Sequence, residues 1–277
     1  MKTRKLIMLL STAVLGVLFT IAHHTVVGQT TAPAIQNVIG AWRGFYQALG
    51  GPDTIGDPDI VPGNFVIGSQ FNRRFDAALS VGIDACIFPG EGTIAASDHA
   101  IFSGKSSEGM AIADVALQDF GGGAAIFDGS VKIHPSDGTR SEGSLIVLRN
   151  FIGNPDEIPS DVTGDWRGFA VSAETGVRRE VTAHFEAERN AIGLSTTSFG
   201  GEVGIFPCIF PSGLGTINAQ GDLVLIAQGD GERLSVTGKL DAALGPEPHI
   251  KGAYLMKHND GFEEGGTFEI VRVIIHE

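Results

Sequence analysis

The sequence predicts an all-β protein: two tandem antiparallel up-and-down β-barrels of about seven to nine strands each, following an N-terminal signal segment. Three observations lead there. Apolar and polar residues alternate with period two over much of the chain. Glycine is used 39 times, which suits tight turns and short strands and weakens helices. A set of landmarks appears twice in the same order, so one architectural unit is written twice.

The first element is a leader. Lys2, Arg4 and Lys5 precede an apolar run from Leu6 to Ala22, and small residues follow around Gly28 and Ala32. This is the pattern of a signal peptide, assigned to residues 1–32, and it predicts a secreted or periplasmic product. The run approaches spanning length, so an uncleaved anchor is the competing reading. After cleavage no stretch is long and apolar enough to form a stable membrane span. Cleavage also moves the net charge from −13 to −16. Nucleic acid rewards clustered Lys and Arg, so no nucleic-acid partner is expected.

The repeat follows. "GAWRGF" (Gly40–Phe45) returns as "GDWRGF" (Gly164–Phe169), and "CIFP" (Cys86–Pro89) returns at Cys208–Pro211. "GSLIVLR" (Gly143–Arg149) returns as "GTFEIVR" (Gly266–Arg272). The boundaries read from these matches are 33–150 for the first barrel, 151–160 for a linker and 161–277 for the second barrel. The linker, "FIGNPDEIPS", carries the Gly, Asn and Pro of a connecting segment. The copies differ at Gly50–Asn64, a Pro- and Gly-rich loop of the first, and at Ala191–Gly204, read as an extra loop of the second.

Within the copies, "VTAHFEAE" sets Val181, Ala183, Phe185 and Ala187 against Thr182, His184 and Glu186. "TFEIVRV" sets Phe268, Ile270 and Arg272 against Thr267, Glu269, Val271 and Val273. Both read as half-buried strands. Asp128-Gly129, Asp137-Gly138, Asp230-Gly231 and Asp260-Gly261 read as hairpin turns.

Gly40-Ala41-Trp42 and Gly164-Asp165-Trp166 spell Gly-x-Trp at the start of a first strand, and Arg149 and Arg272 lie in the last. This resembles the calycin-type barrels, the lipocalin, avidin and fatty-acid-binding group. The resemblance implies that Trp42 pairs with Arg149 and Trp166 with Arg272, each pair closing one barrel end. The cysteine pattern of secreted lipocalins and the several stacking tryptophans of avidin are absent, which argues against a biotin site.

Few residues carry chemistry. Cys86 and Cys208 hold matching positions. An exported chain suggests a disulfide, but equivalent sites in separate barrels lie too far apart to bridge, so free and buried thiols are the reading preferred over it. Cys208 alternates with Phe206 and Phe210 on one strand face, which favours burial. Asp53, Asp57 and Asp59 cluster in the Gly50–Asn64 loop and form a weak Ca²⁺ candidate that reads first as an acidic solvated loop. The histidines of the mature chain lack ligand spacing, so no metal or other cofactor is expected. The few polar matches between copies, Arg43/Arg167, Thr93/Thr216, Asp137/Asp260 and Arg149/Arg272, include no acid–base pair. On alternation Arg43 and Arg167 point away from the tryptophan, toward the neighbouring copy or solvent.

The function expected from these residues is an exported, non-enzymatic β-barrel protein that binds a small apolar ligand or serves as a structural or interaction module. The alternative is an enzyme with a site in the first copy beside Gly50–Asn64. Homo-oligomeric assembly through exposed strands is a third reading.

Overall fold

The structure, a computed structural model, describes residues 36–49, 60–82, 86–138, 140–152, 157–189, 195–229, 231–241 and 247–274. No helix occurs among them. The first closed barrel comprises β1 (Gly40–Ala48), β2 (Ile60–Phe71), β3 (Arg74–Val81), β4 (Cys86–Ile94), β5 (His99–Ser106), β6 (Gly109–Gly121), β7 (Ala124–Pro135) and β8 (Ser141–Arg149). The second comprises β9 (Gly164–Ser172), β10 (Arg178–Arg189), β11 (Ser195–Ile205), β12 (Cys208–Ile217), β13 (Asp222–Gly229), β14 (Glu232–Asp241), β15 (His249–His258) and β16 (Glu263–Arg272). Each barrel therefore has eight strands in sequence order, every pair antiparallel, and the first strand closes on the last. Closure removes every open edge, which a sheet of this size would otherwise expose.

The alternation in sequence is the inside–outside alternation of the barrels. In β10, Val181, Ala183 and Phe185 are buried, while Thr182, His184 and Glu186 are exposed. Each barrel has its own core, one built around Trp42, Phe65, Phe102 and Phe127 and the other around Trp166, Phe199, Phe210 and Leu225. A shared glycine device packs both. The Phe75 ring lies over Gly92, where a Cβ would stand 2.1 Å from it, and Phe199 lies over Gly215 at 2.0 Å. Only a residue without a side chain fits under either ring.

A third cluster joins the barrels. The outer faces of β7 and β8 contribute Ala124, Ile126, Ile146 and Leu148, and that of β13 contributes Val224 and Ile226. Phe151, within the segment read as a linker, is buried in this cluster, and its N–H donates to Thr216 Oγ1 at 3.1 Å. Polar contacts surround the apolar centre. Gln228 Nε2 donates to Gln47 Oε1 at 2.7 Å, and both side chains are buried. Asn150 Nδ2 donates to Ser198 Oγ, and Arg43 pairs with Glu188 at 2.6 Å. Arg43 thus faces the neighbouring copy.

Two sequence expectations are corrected here. Asp128-Gly129 is not a turn: it lies inside β7, with Gly129 paired to Val115 and Asp128 to Ala116. A Cβ on Gly129 would fall 2.1 Å from Asp114 O, so glycine serves close strand approach rather than chain reversal. The turns at Gly138, Gly231 and Gly261 do carry positive φ, at 87°, 72° and 90°. Nor is Ala191–Gly204 an extra loop, since from Ser195 onward it forms β11. Its glycines again serve close contact, because a Cβ on Gly201 would lie 1.9 Å from His184 O.

Candidate functional site

Two ends and one interior define the candidate site. At one end of each barrel the chain enters beneath an indole. Gly40 and Gly164 adopt φ of +141° and +121°, conformations that favour glycine, and turn the chain into the first strand. Trp42 Nε1 donates to Val38 O at 3.0 Å, and Trp166 Nε1 donates to Val162 O at 2.8 Å. The arginine of the last strand then covers the ring. The Arg149 guanidinium carbon lies 4.8 Å from the Trp42 centroid, and that of Arg272 lies 5.1 Å from Trp166. Each guanidinium also ties down the entering segment. Arg149 Nη1 donates to Asn37 O at 2.7 Å and Arg272 Nη2 to Asp161 O at 2.6 Å. Both indoles are fully buried, so this end is a packed clamp in both copies.

The interiors differ. In the first barrel Phe65, Phe102 and Phe127 form a continuous aromatic column with Trp42: Trp42 and Phe127 stack at 4.2 Å, and Phe65 meets Phe102 at 5.0 Å and Phe127 at 6.0 Å. Strand pairing identifies the counterparts in the second barrel. Phe65 stands opposite Trp42 and Ala183 opposite Trp166. Phe102 faces Gly92 as Leu225 faces Gly215, and Phe127 faces Val147 as Ile250 faces Ile270. Three phenylalanines of the column are therefore Ala183, Leu225 and Ile250 in the second copy.

Larger residues at other inward positions return part of the lost volume, among them Phe185 at the position of Ile67, Leu223 at that of Ala100, Tyr254 at that of Val131 and Phe268 at that of Leu145. The remainder is a cavity in the second barrel, with about 30 Å³ open to the centre of a water-sized sphere. Its walls include Ala183, Leu225, Val236, Ile250, Tyr254 and Ile270, and no polar atom contributes to them.

The opposite end of the second barrel carries a buried polar group that the sequence did not signal. Glu264, in β16, is buried. The Tyr254 hydroxyl donates to Glu264 Oε1 at 2.9 Å, and Arg179 pairs with Glu264 Oε2 at 2.9 Å. Burial, then the hydrogen bond to Glu264, pushes the Tyr254 phenol up to about 12, so it stays a neutral donor. Beside them, His258 Nδ1 lies 2.9 Å from Glu232 Oε1. Only the alternation of β16, which turns Glu264 inward with Phe268 and Ile270, could have marked this carboxylate.

Cys208 opens β12 at this same end. Its thiol is pushed up to about 12, first by burial and then by its hydrogen bond to Glu232, so it is not activated as a nucleophile. Both cysteines are free thiols, but the expectation that both are buried is corrected: Cys86 is exposed and Cys208 half-buried. Each begins its strand at the rim instead of occupying an interior rung. Phe206 does not share the buried face of Phe210; it sits in the β11–β12 turn and is 73% exposed. Asp53, Asp57 and Asp59 lie outside the described residues. Arg167 lines an open concavity on the outside of the second barrel with Phe169 and Arg178.

No protein-family model matches the chain, and no curated protein sequence matches it. Among solved structures, a protein of unknown function from the DUF3598 family of Nostoc punctiforme PCC 73102 shows similarity over 86% of this chain and 96% of its own. Its identity is 11% and its TM-score 0.25.

Proposed function

We propose that the chain is an exported, non-enzymatic carrier of calycin type in which the first barrel is a filled scaffold and the second holds one small apolar ligand. The observation that carries this reading is the hydrocarbon-walled cavity where the first copy has a phenylalanine column. An eight-stranded barrel is just wide enough to be filled by side chains or to hold a small ligand, so a few substitutions move it between these states. The indole–guanidinium clamp, present twice with each indole N–H donating to the carbonyl four residues before it, supports the calycin assignment. The apolar leader at residues 1–32 supports export.

The test is native mass spectrometry of protein purified from its own host, beside the variant Leu225→Phe. Uptake of an added apolar molecule of a few heavy atoms by the wild type and not by the variant is the expected result, and a co-purifying molecule lost in the variant would count the same way. At ~24 cal/mol per Å³, filling a cavity of about 30 Å³ adds at most about 0.7 kcal/mol of stability. A variant that folds, gains no more than this and loses the ligand locates binding in the second barrel. Repeated isolation of wild-type protein with nothing bound, and no uptake of added apolar molecules, would refute the carrier reading.

A further inference from the structure

The cavity wall also bears on which apolar molecules the second barrel would hold, an inference that rests on reading that cavity as a binding site. We propose that it selects small molecules with no hydrogen-bonding group, short hydrocarbons in chemical class, and rejects acids and alcohols of the same size. Tyr254 is the one wall residue with a polar side-chain atom, and its hydroxyl is spent on Glu264 Oε1 at 2.9 Å. The other oxygen of Glu264 is held by Arg179 at 2.9 Å. The guanidinium and carboxylate cancel in charge, so neither offers an unpaired ion to a ligand. A head group brought into the cavity gives up its bonds to water and finds no replacement, a loss that a hydrocarbon does not incur. The space, about 30 Å³ to a sphere centre, is roughly twice what one water needs, which limits the occupant to a few heavy atoms.

The experiment uses the mature protein with labelled Leu, Val and Ile methyl groups and four probes: xenon, propane, propionate and 1-propanol. Xenon and propane should move the methyl resonances of Leu225, Val236 and Ile250 saturably, with propionate and 1-propanol weaker by about tenfold or more. Propionate or 1-propanol binding at the same methyls within tenfold of propane would overturn the selectivity while leaving the cavity as a binding site. No shift with xenon or propane at the highest attainable pressure would overturn both. Glu264→Ala adds a second readout. With its carboxylate gone, Arg179 loses its partner behind the wall residue Tyr254, and propionate should now bind. A variant with wild-type methyl dispersion that still rejects propionate would remove the paired carboxylate as the source of the selectivity. If it does not fold, the comparison of the four probes on the wild-type protein still decides.

Discussion

Asp128, in β7 of the first barrel, places a buried carboxylate against the second. Its side chain is 6% exposed, and its two oxygens face two cations of the second barrel, Arg233 Nε and Lys257 Nζ, each at 2.9 Å. The arginine contact has the distance of an ion pair without the alignment of a hydrogen bond. Asp128→Ala leaves both cations facing a void. Removing one partner of a buried pair costs roughly 3–5 kcal/mol. Here Lys257 keeps Glu263 at 3.4 Å, and the two cations, 16% and 21% exposed, still reach water. The lower end, about 3 kcal/mol, is therefore expected. With a urea m-value near 3 kcal/mol/M, the midpoint should fall by about 1 M. Arg43→Ala is the control, because the Arg43–Glu188 pair also bridges the barrels but is 47% and 39% exposed. It should cost about 0–1 kcal/mol. Urea titration of both variants, followed by tryptophan fluorescence, reports unfolding of the two barrels together through Trp42 and Trp166. Equal shifts for the two variants, or a loss below about 0.5 kcal/mol for Asp128→Ala, would refute the claim that burial makes this carboxylate matter.

Three further outcomes are expected. Gly40→Ala and Gly164→Ala should each lower stability by about 1–3 kcal/mol, because both backbones sit at positive φ. Gly40→Ala should be the worse in urea titration, since its new Cβ meets Arg149 Cδ at 3.1 Å whereas that of Gly164→Ala meets Arg272 Cδ only at 4.0 Å. Titration of the native protein with a thiol reagent at pH 8 should modify exposed Cys86 first and Cys208 more slowly, by about tenfold or more, as its raised pKa keeps it protonated. The urea midpoint should fall on the alkaline side. Cys208 is raised from 9.0 to about 12 and Tyr254 from 10.0 to about 12, so both stabilise fully below their unfolded values and lose that contribution as pH rises toward 12. Cys208→Ala should delay the onset from about pH 9 to about pH 10, and an unchanged profile would refute the assignment.

How far the sequence could be read depended on whether a residue's role was set along its own strand or across the sheet. Alternation in β10 and β16 is a local property, and an expectation of seven to nine antiparallel strands per copy follows from it together with the turn glycines, where the structure has eight. The clamp residues stood out because Gly-x-Trp and the last-strand arginine are each written twice. Asp128-Gly129 could not be read locally, since it matches true turns such as Asp260-Gly261 in type and differs only in what lies beside it. Its glycine is fixed by Asp114 on the neighbouring strand, and its aspartate by cations more than a hundred residues away. The same holds for Glu264, whose partners Arg179 and Tyr254 come from β10 and β15.

The two interiors show how duplication lets the copies be packed differently. A single barrel that gives up Phe65, Phe102 and Phe127 loses the rings that stack on its own clamp, because Phe127 packs directly on Trp42. Large-to-small changes in such a core cost several kcal/mol each when nothing refills the space. In the second copy several other inward positions enlarge, among them Ile67 to Phe185, Ala100 to Leu223, Ala111 to Leu234, Val131 to Tyr254 and Leu145 to Phe268, which shifts ring volume to β10, β15 and β16. Tyr254 brings a hydroxyl, which a buried site must satisfy, and Glu264 occupies the place of Ser141 to accept it. That carboxylate in turn requires a cation, supplied by Arg179 at the place of Val61. The polar cluster at this end of the second barrel is thus expected to couple to the exchange of rings below it. Reverting Tyr254 to valine should therefore unsettle Glu264 and Arg179 together. In a double-mutant cycle, Tyr254→Val and Glu264→Ser should couple by about 1 kcal/mol or more, while Tyr254→Val with the distant Arg43→Ala should be additive.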